Sequence, residues 1–149
     1  MAADAWKAYN SFRKNVGDGL IDLDTHTFNV ALFLSASNAN DVAQTVYTAL
    51  TSEHANASGY LTGGAALTGV TWNYSGTTAT FDFTDPTWTA SGGSIICRYA
   101  VIYDDTAAGK PLVCFSLLDN SPADVTVTAG NPLTLTINAS GCFTLTGMA

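Results

Sequence analysis

His26 and His54 are the only histidines of this 149-residue chain, and acid–base chemistry near neutral pH ordinarily begins with such side chains. His26 stands in Asp24-Thr25-His26-Thr27-Phe28 and His54 follows Glu53. Neither belongs to an HxH or HExxH pattern, so a zinc centre is not expected. The carboxylates come in pairs: Asp22 with Asp24, Asp82 with Asp85, and Asp104 with Asp105. Calcium needs further oxygen ligands at defined offsets and a closing glutamate, which are missing here, so the pairs read as solvated turn residues. A glycoside hydrolase also works with two carboxylates, and nothing in the spacing favours one.

Gly59-Tyr60-Leu61-Thr62-Gly63-Gly64 has the glycines of a phosphate loop without its lysine, since no lysine lies between residues 15 and 109. These glycines read as backbone turns at the rim of a sheet. Cys97, Cys114 and Cys142 sit in apolar runs and read as buried free thiols of a protein made in a reducing compartment. Three triplets, starting at Asn56, Asn73 and Asn138, match the glycosylation pattern. The start MAADAWKAYN lacks the apolar region of a secretion signal, so they read as incidental. The expectation is a non-enzyme with no catalytic residues, no cofactor and no metal.

Composition narrows the class. Hydrophobic residues make up 47% of the chain and charged residues 11%, against a usual charged share of about 25%. A surface covered by Thr, Ser, Asn, Gly and Ala suits a protein that works packed against neighbours. The net charge of −7 argues against nucleic acid as a partner. No run is long and apolar enough to suggest a membrane span. The charge is uneven: Lys7, Arg13 and Lys14 against Asp4 leave residues 1–16 at +2, and two basic against eleven acidic residues leave the remainder at −9.

The elements that must position these residues are mostly strands. In DAWKAYNSFRKN, residues 4–15, Ala5, Trp6, Tyr9 and Phe12 recur at helical spacing, which predicts a short amphipathic helix with Lys7, Arg13 and Lys14 on its other side. LIDLDT (20–25) reads as a strand. TFNVALFLSAS (27–37) reads as one buried on both faces. DVAQTVYTAL (41–50) places Val42, Val46, Tyr47 and Leu50 on one face behind Asp41 and predicts an interior helix. VTWNY and TATFDFT form a hairpin around SGTT, with Val70, Trp72 and Tyr74 on its core side. SIICRYAVIYD and PLVCFSLLD read as a long central hairpin, and three short Thr-rich strands close the chain. The expected fold is all-β: an antiparallel β-sandwich of jelly-roll type, with a short N-terminal helical arm at 1–16, a single domain over 17–149 and one short interior helix.

Without a catalytic constellation, the residues that invite a functional role are those of the arm. Trp6, Tyr9 and Phe12 are a large apolar payload for so short a segment. They either tuck back onto the domain or anchor in a partner, with Lys7, Arg13 and Lys14 pairing to acids around them. A carbohydrate platform is a rival reading for Trp72, Tyr74 or Trp88, weakened because alternation sends Trp72 and Tyr74 into the core.

Four phrases occur in order along the chain: Leu20-Ile21-Asp22-Leu23-Asp24-Thr25 running into Thr27-Phe28-Asn29-Val30-Ala31-Leu32; Gly59-Tyr60-x-x-Gly63-Gly64-x-x-Leu67; Trp88-Thr89-Ala90; and Arg98-Tyr99-Ala100-Val101-Ile102-Tyr103-Asp104. As a set covering residues 20–118 they resemble a group of small structural proteins of tailed bacteriophages. The resemblance implies a capsid cement or decoration protein with a jelly-roll-like fold. Its partners would be the major capsid protein and sister copies in a homodimer or homotrimer. Its station would be the outer capsid surface of the virion, reached from the host cytoplasm, and a tail, neck or fibre-base position is the alternative. Residues 4–15 lie outside the shared part, so the resemblance implies nothing about the arm.

Overall fold

The apolar run Phe28–Phe33 forms a strand whose side chains are nearly all buried, as a strand covered on both faces requires. In the computed structural model of the chain, which describes residues 3–121 and 123–147, it lies inside a five-stranded antiparallel sheet. The strands run in chain order: β1 (Lys7–Ala8), β2 (Phe28–Phe33), β3 (Ala65–Ala66), β4 (Thr71–Ser75), β5 (Thr78–Asp82), β6 (Thr87–Thr89), β7 (Ile95–Cys97), β8 (Tyr99–Asp104), β9 (Leu112–Leu117), β10 (Val125–Val127), β11 (Pro132–Thr134) and β12 (Phe143–Thr146). The large sheet has the order β1-β9-β8-β2-β3. A second layer is shared among the pairs β10-β7 and β11-β6 and the three-stranded sheet β12-β5-β4. Every strand pair is antiparallel, so the chain is an all-β antiparallel sandwich. Division of the second layer into small sheets leaves the jelly-roll subtype as an expectation.

Alternation along the large sheet divides its side chains between two apolar layers. Phe28, Val30, Leu32, Ala100, Ile102 and Val113 enter the main core, where they meet Phe81, Phe83, Trp88, Ile95, Leu133 and Leu135 of the second layer. Ala31, Phe33, Tyr99, Val101, Tyr103, Leu112 and Phe115 point the other way and are covered by Tyr9, Ala39, Tyr47 and Leu50. A register shift between Ile102 and Tyr103 pairs Tyr103 with Leu112 and Ile102 with Cys114. Val113 is thereby the extra residue of a bulge, which lets Leu112 and Phe115, an odd number of residues apart, share one face.

The hairpin Thr71–Asp82 has the expected partners, with Trp72 opposite Phe81. Tyr74, expected in the core, is instead 84% exposed, because the hairpin extends past the layer that would cover it. The central hairpin is β8 with β9. The residues before it, β7, belong to the second layer, and the chain changes layers at Arg98, whose N–H donates to the Phe33 carbonyl and whose Nε donates to Asp124.

Three predicted elements are different in the structure. Residues 20–25 make turns, since the Asp22 carboxylate accepts the N–H groups of Asp24 and Thr25 and the Thr25 hydroxyl and so closes the chain on itself. The helix expected at 41–50 shrinks to one 3-10 turn, Tyr47–Ala49. Its backbone is drawn aside to the central hairpin by Tyr47 N–H to the Lys110 carbonyl and Leu112 N–H to the Thr45 carbonyl. The helix expected over 4–15 covers Phe12–Gly17 (α1), and the residues before it are extended: Lys7 and Ala8 pair with Phe115 and Cys114, Asp4 N–H donates to Leu117 and Tyr9 N–H to Val113. An open sheet edge satisfies these backbone groups better than a lone turn of helix in water. The segment 4–16 is therefore built into the sandwich.

Candidate functional site

Strand geometry separates the aromatics that a helix would gather on one face. Trp6 and Ala8 pack toward the main core while Tyr9 enters the opposite layer. Tyr9 is 1% exposed; its hydroxyl donates to the Ala39 carbonyl at 2.6 Å and its ring lies 5.3 Å from that of Phe115. Phe12, 2% exposed, meets Phe143 edge-on at 5.3 Å. Both are core residues, unavailable for insertion into a partner. Lys7 is exposed beside Asp4 at 3.4 Å, Lys14 pairs with Asp18, and Arg13 is exposed. Trp6 alone of the three aromatics stays half-exposed.

Trp6 stands where the sandwich is open. The edge of the large sheet at Asp4–Ala8 and the edge strand β12 leave between them a groove of about 960 Å³. Its apolar floor is Leu118, Val125, Leu133, Leu135 and Ile137, and its walls include Trp6, Cys142 and Phe143. A smaller cavity of about 180 Å³ adjoins it, lined by Trp6, Phe12, Arg13, Cys114 and Phe143. The groove's polar lining includes Asp4, Ser116, Asn138 and Ser140. Its chemistry is that of apolar burial with a few hydrogen bonds at the margin, which fits a segment of another chain. Leu133, Leu135 and Ile137 were legible as an alternating apolar run. Nothing local marked them as the floor of an opening.

Two polar clusters lie elsewhere. Glu53, the only glutamate of the chain, accepts the Tyr60 hydroxyl at 2.6 Å and the Gly63 N–H at 2.7 Å on one oxygen, and the Tyr47 hydroxyl on the other. The Tyr60 hydroxyl in turn accepts the Leu32 N–H, and Tyr103 donates to the Gly63 carbonyl at 2.8 Å. Tyr47 and Tyr103 stack at 4.2 Å. This network ties the Gly59–Gly64 turns to β2 and β8, a structural role for a glycine-rich passage. Asp104 is fully buried; one carboxylate oxygen accepts the Thr106 and Ala107 N–H groups and the other lies 2.6 Å from His26 Nδ1. That contact crosses from the turns before β2 to the end of β8. Sequence spacing gave no sign of it. Trp88 is buried, His54 is buried with Nδ1 on the Ala55 carbonyl, and Asp85 accepts the Ile137 N–H. Among the described residues no three His, Cys, Asp or Glu side chains come together as a metal-binding group, and no helix is long and apolar enough to cross a membrane.

Burial raises the hydroxyl pKa values of Tyr9, Tyr47, Tyr60 and Tyr103 above the usual tyrosine value, with Glu53 adding to the rise at Tyr47 and Tyr60. Burial likewise pushes Cys97 up to about 12. In the unfolded chain tyrosine ionises near pH ~10. The unfolded state then sheds protons that the folded state keeps, so stability is fully present below that pH and falls as pH rises beyond it. A steep loss is expected above about pH 10, with tyrosinate absorbance appearing together with unfolding. Equal urea midpoints at about pH 8 and about pH 11 would contradict this.

No protein-family model, no curated protein and no solved structure matches the chain.

Proposed function

We propose that the chain is a structural virion protein that decorates and cements the capsid of a tailed bacteriophage by bridging major capsid subunits. The observation that carries the reading is the open apolar groove at the sandwich edge, flanked by half-exposed Trp6 and exposed Arg13. The low share of charged residues and the ordered phrases of the sequence support it. The docking element differs from a free aromatic arm, because Tyr9 and Phe12 are occupied in the core. The groove accepts an apolar segment of the capsid subunit or of a sister copy, and Arg13 meets acids at its rim. Many copies on one shell multiply a modest interface into a large total stabilisation.

Trp6→Ala and Arg13→Glu are expected to leave the domain folded and to lower occupancy on undecorated heads at least tenfold, a loss of about 1.4 kcal/mol per site. Unchanged occupancy for both variants would remove the groove from the interface. Copies counted by mass spectrometry in purified particles separate the stations: hundreds place the protein on the shell, a dozen or fewer at tail or neck. A carbohydrate-binding reading has one observation in its favour, Tyr74 exposed on edge strand β4. Trp88 no longer supports it, being buried; glycan-array binding lost in Tyr74→Ala would favour it.

A further inference from the structure

Cys114 and Cys142 come from different layers of the sandwich. Cys114 lies on β9 of the large sheet, fully within the main core, and Cys142 immediately precedes β12 of the second layer and packs against that same core. Both reach the open side of the sandwich. Cys142 is half-exposed and lines the groove, Cys114 lines the adjoining cavity, and Phe143 borders both spaces. Cys114 shares that cavity with Phe143, the residue next to Cys142 in the chain, and both thiols are free. Cys97 lines neither opening and sits apart on β7 beside β10.

We propose that Cys114 and Cys142 form a disulfide that staples the two layers together when the protein meets an oxidising environment. The oxidant is a low-molecular-weight disulfide such as oxidised glutathione. The Cys142 thiolate, reached through the groove, attacks one sulfur of it; the S–S bond breaks, one glutathione leaves as thiolate and takes up a proton, and Cys142 carries the mixed disulfide. Cys114 then loses its proton and attacks the Cys142 sulfur, expelling the second glutathione. Two protein thiols are oxidised and one glutathione disulfide is reduced to two thiols. Burial and the neighbouring Cys142 raise the Cys114 pKa well above its usual value, so the second step is slow near neutrality and quickens as pH rises. The staple closes the chain between residues 114 and 142, which restricts the unfolded state. It also bears on the groove wall, and it stands whether or not the chain belongs to a capsid.

The test incubates the native full chain with oxidised glutathione, blocks free thiols, and titrates and maps the denatured protein. Expected are a fall from three free thiols to one, that one being Cys97, a Cys114–Cys142 linked peptide, and a rise in the urea midpoint reversed by dithiothreitol. Cys142→Ser should form no bridge. Cys114→Ala, lacking the resolving thiol, should hold glutathione stably on Cys142. Three surviving thiols, a lasting glutathione adduct on Cys142 in the unaltered chain, or a bridge involving Cys97 would each overturn the proposal.

Discussion

Removal of residues 1–16 is expected to leave a chain that does not fold. The deletion takes away the Tyr9 and Phe12 side chains, each buried in a different apolar layer, and strips β9 of the partner that covers its outer edge. Loss of one large buried aromatic costs about 3–5 kcal/mol, so two reach roughly 6–10 kcal/mol before the edge hydrogen bonds from Asp4 and Tyr9 are counted. A domain of this size has only about 5–15 kcal/mol in total. Circular dichroism and urea unfolding check the expectation. A truncated chain with an unaltered midpoint would show that the segment is a dispensable arm. Tyr9→Ala and Phe12→Ala, taken singly, should each lower stability by several kcal/mol, about 3–5, which separates packing from the edge pairing.

Gly64→Ala is expected to be the most damaging single replacement of a surface-turn residue. Gly64 has φ of +78°, and a Cβ there would stand 1.9 Å from the Val30 carbonyl oxygen, backbone of the central sheet that cannot step aside cheaply. The left-handed conformation alone costs a non-glycine residue about 1–2 kcal/mol. Relieving the overlap requires β3 to leave β2, with its Ala65 and Ala66 pairing and the Glu53 contact at Gly63, so a total of roughly 4 kcal/mol or more is expected, as for other broken buried networks. Gly92→Ala isolates the conformational part: its φ is +74° with nothing within 4 Å of the added Cβ, and about 1–2 kcal/mol is expected. Equal midpoints for the two variants would show that the close approach to Val30 does not matter.

These two effects mark where sequence reading succeeds and where it stops. The run Phe28–Phe33 was legible as a doubly covered strand because continuous apolarity has few other uses in a chain rich in β-branched residues. The hairpin at Thr71–Asp82 was legible because turn chemistry and alternation are local signals. Ala5, Trp6, Tyr9 and Phe12 misled for an equally local reason. Spacings of three and four mean one face only if the backbone is helical; in an extended segment the same spacing sends Trp6 and Tyr9 to opposite sides of a sheet. The choice between the two belonged to the vacant edge of β9, more than a hundred residues away in sequence. Asp22 was assigned to a strand for the same kind of reason, and its capacity to fold the chain back on its own carboxylate prevailed.

The amino-acid sequence by itself determined an all-β antiparallel chain, a surface poor in charge, and the apolar runs that fill the core, because each depends on residue type and near-neighbour rhythm. Tertiary structure alone decided which aromatics are spent in that core, that Glu53 gathers tyrosines and Asp104 gathers His26, and that Cys114 and Cys142 line adjoining openings. Those outcomes rest on contacts between distant segments, brought about by strand pairing and layer packing, and no short stretch of the chain encodes them.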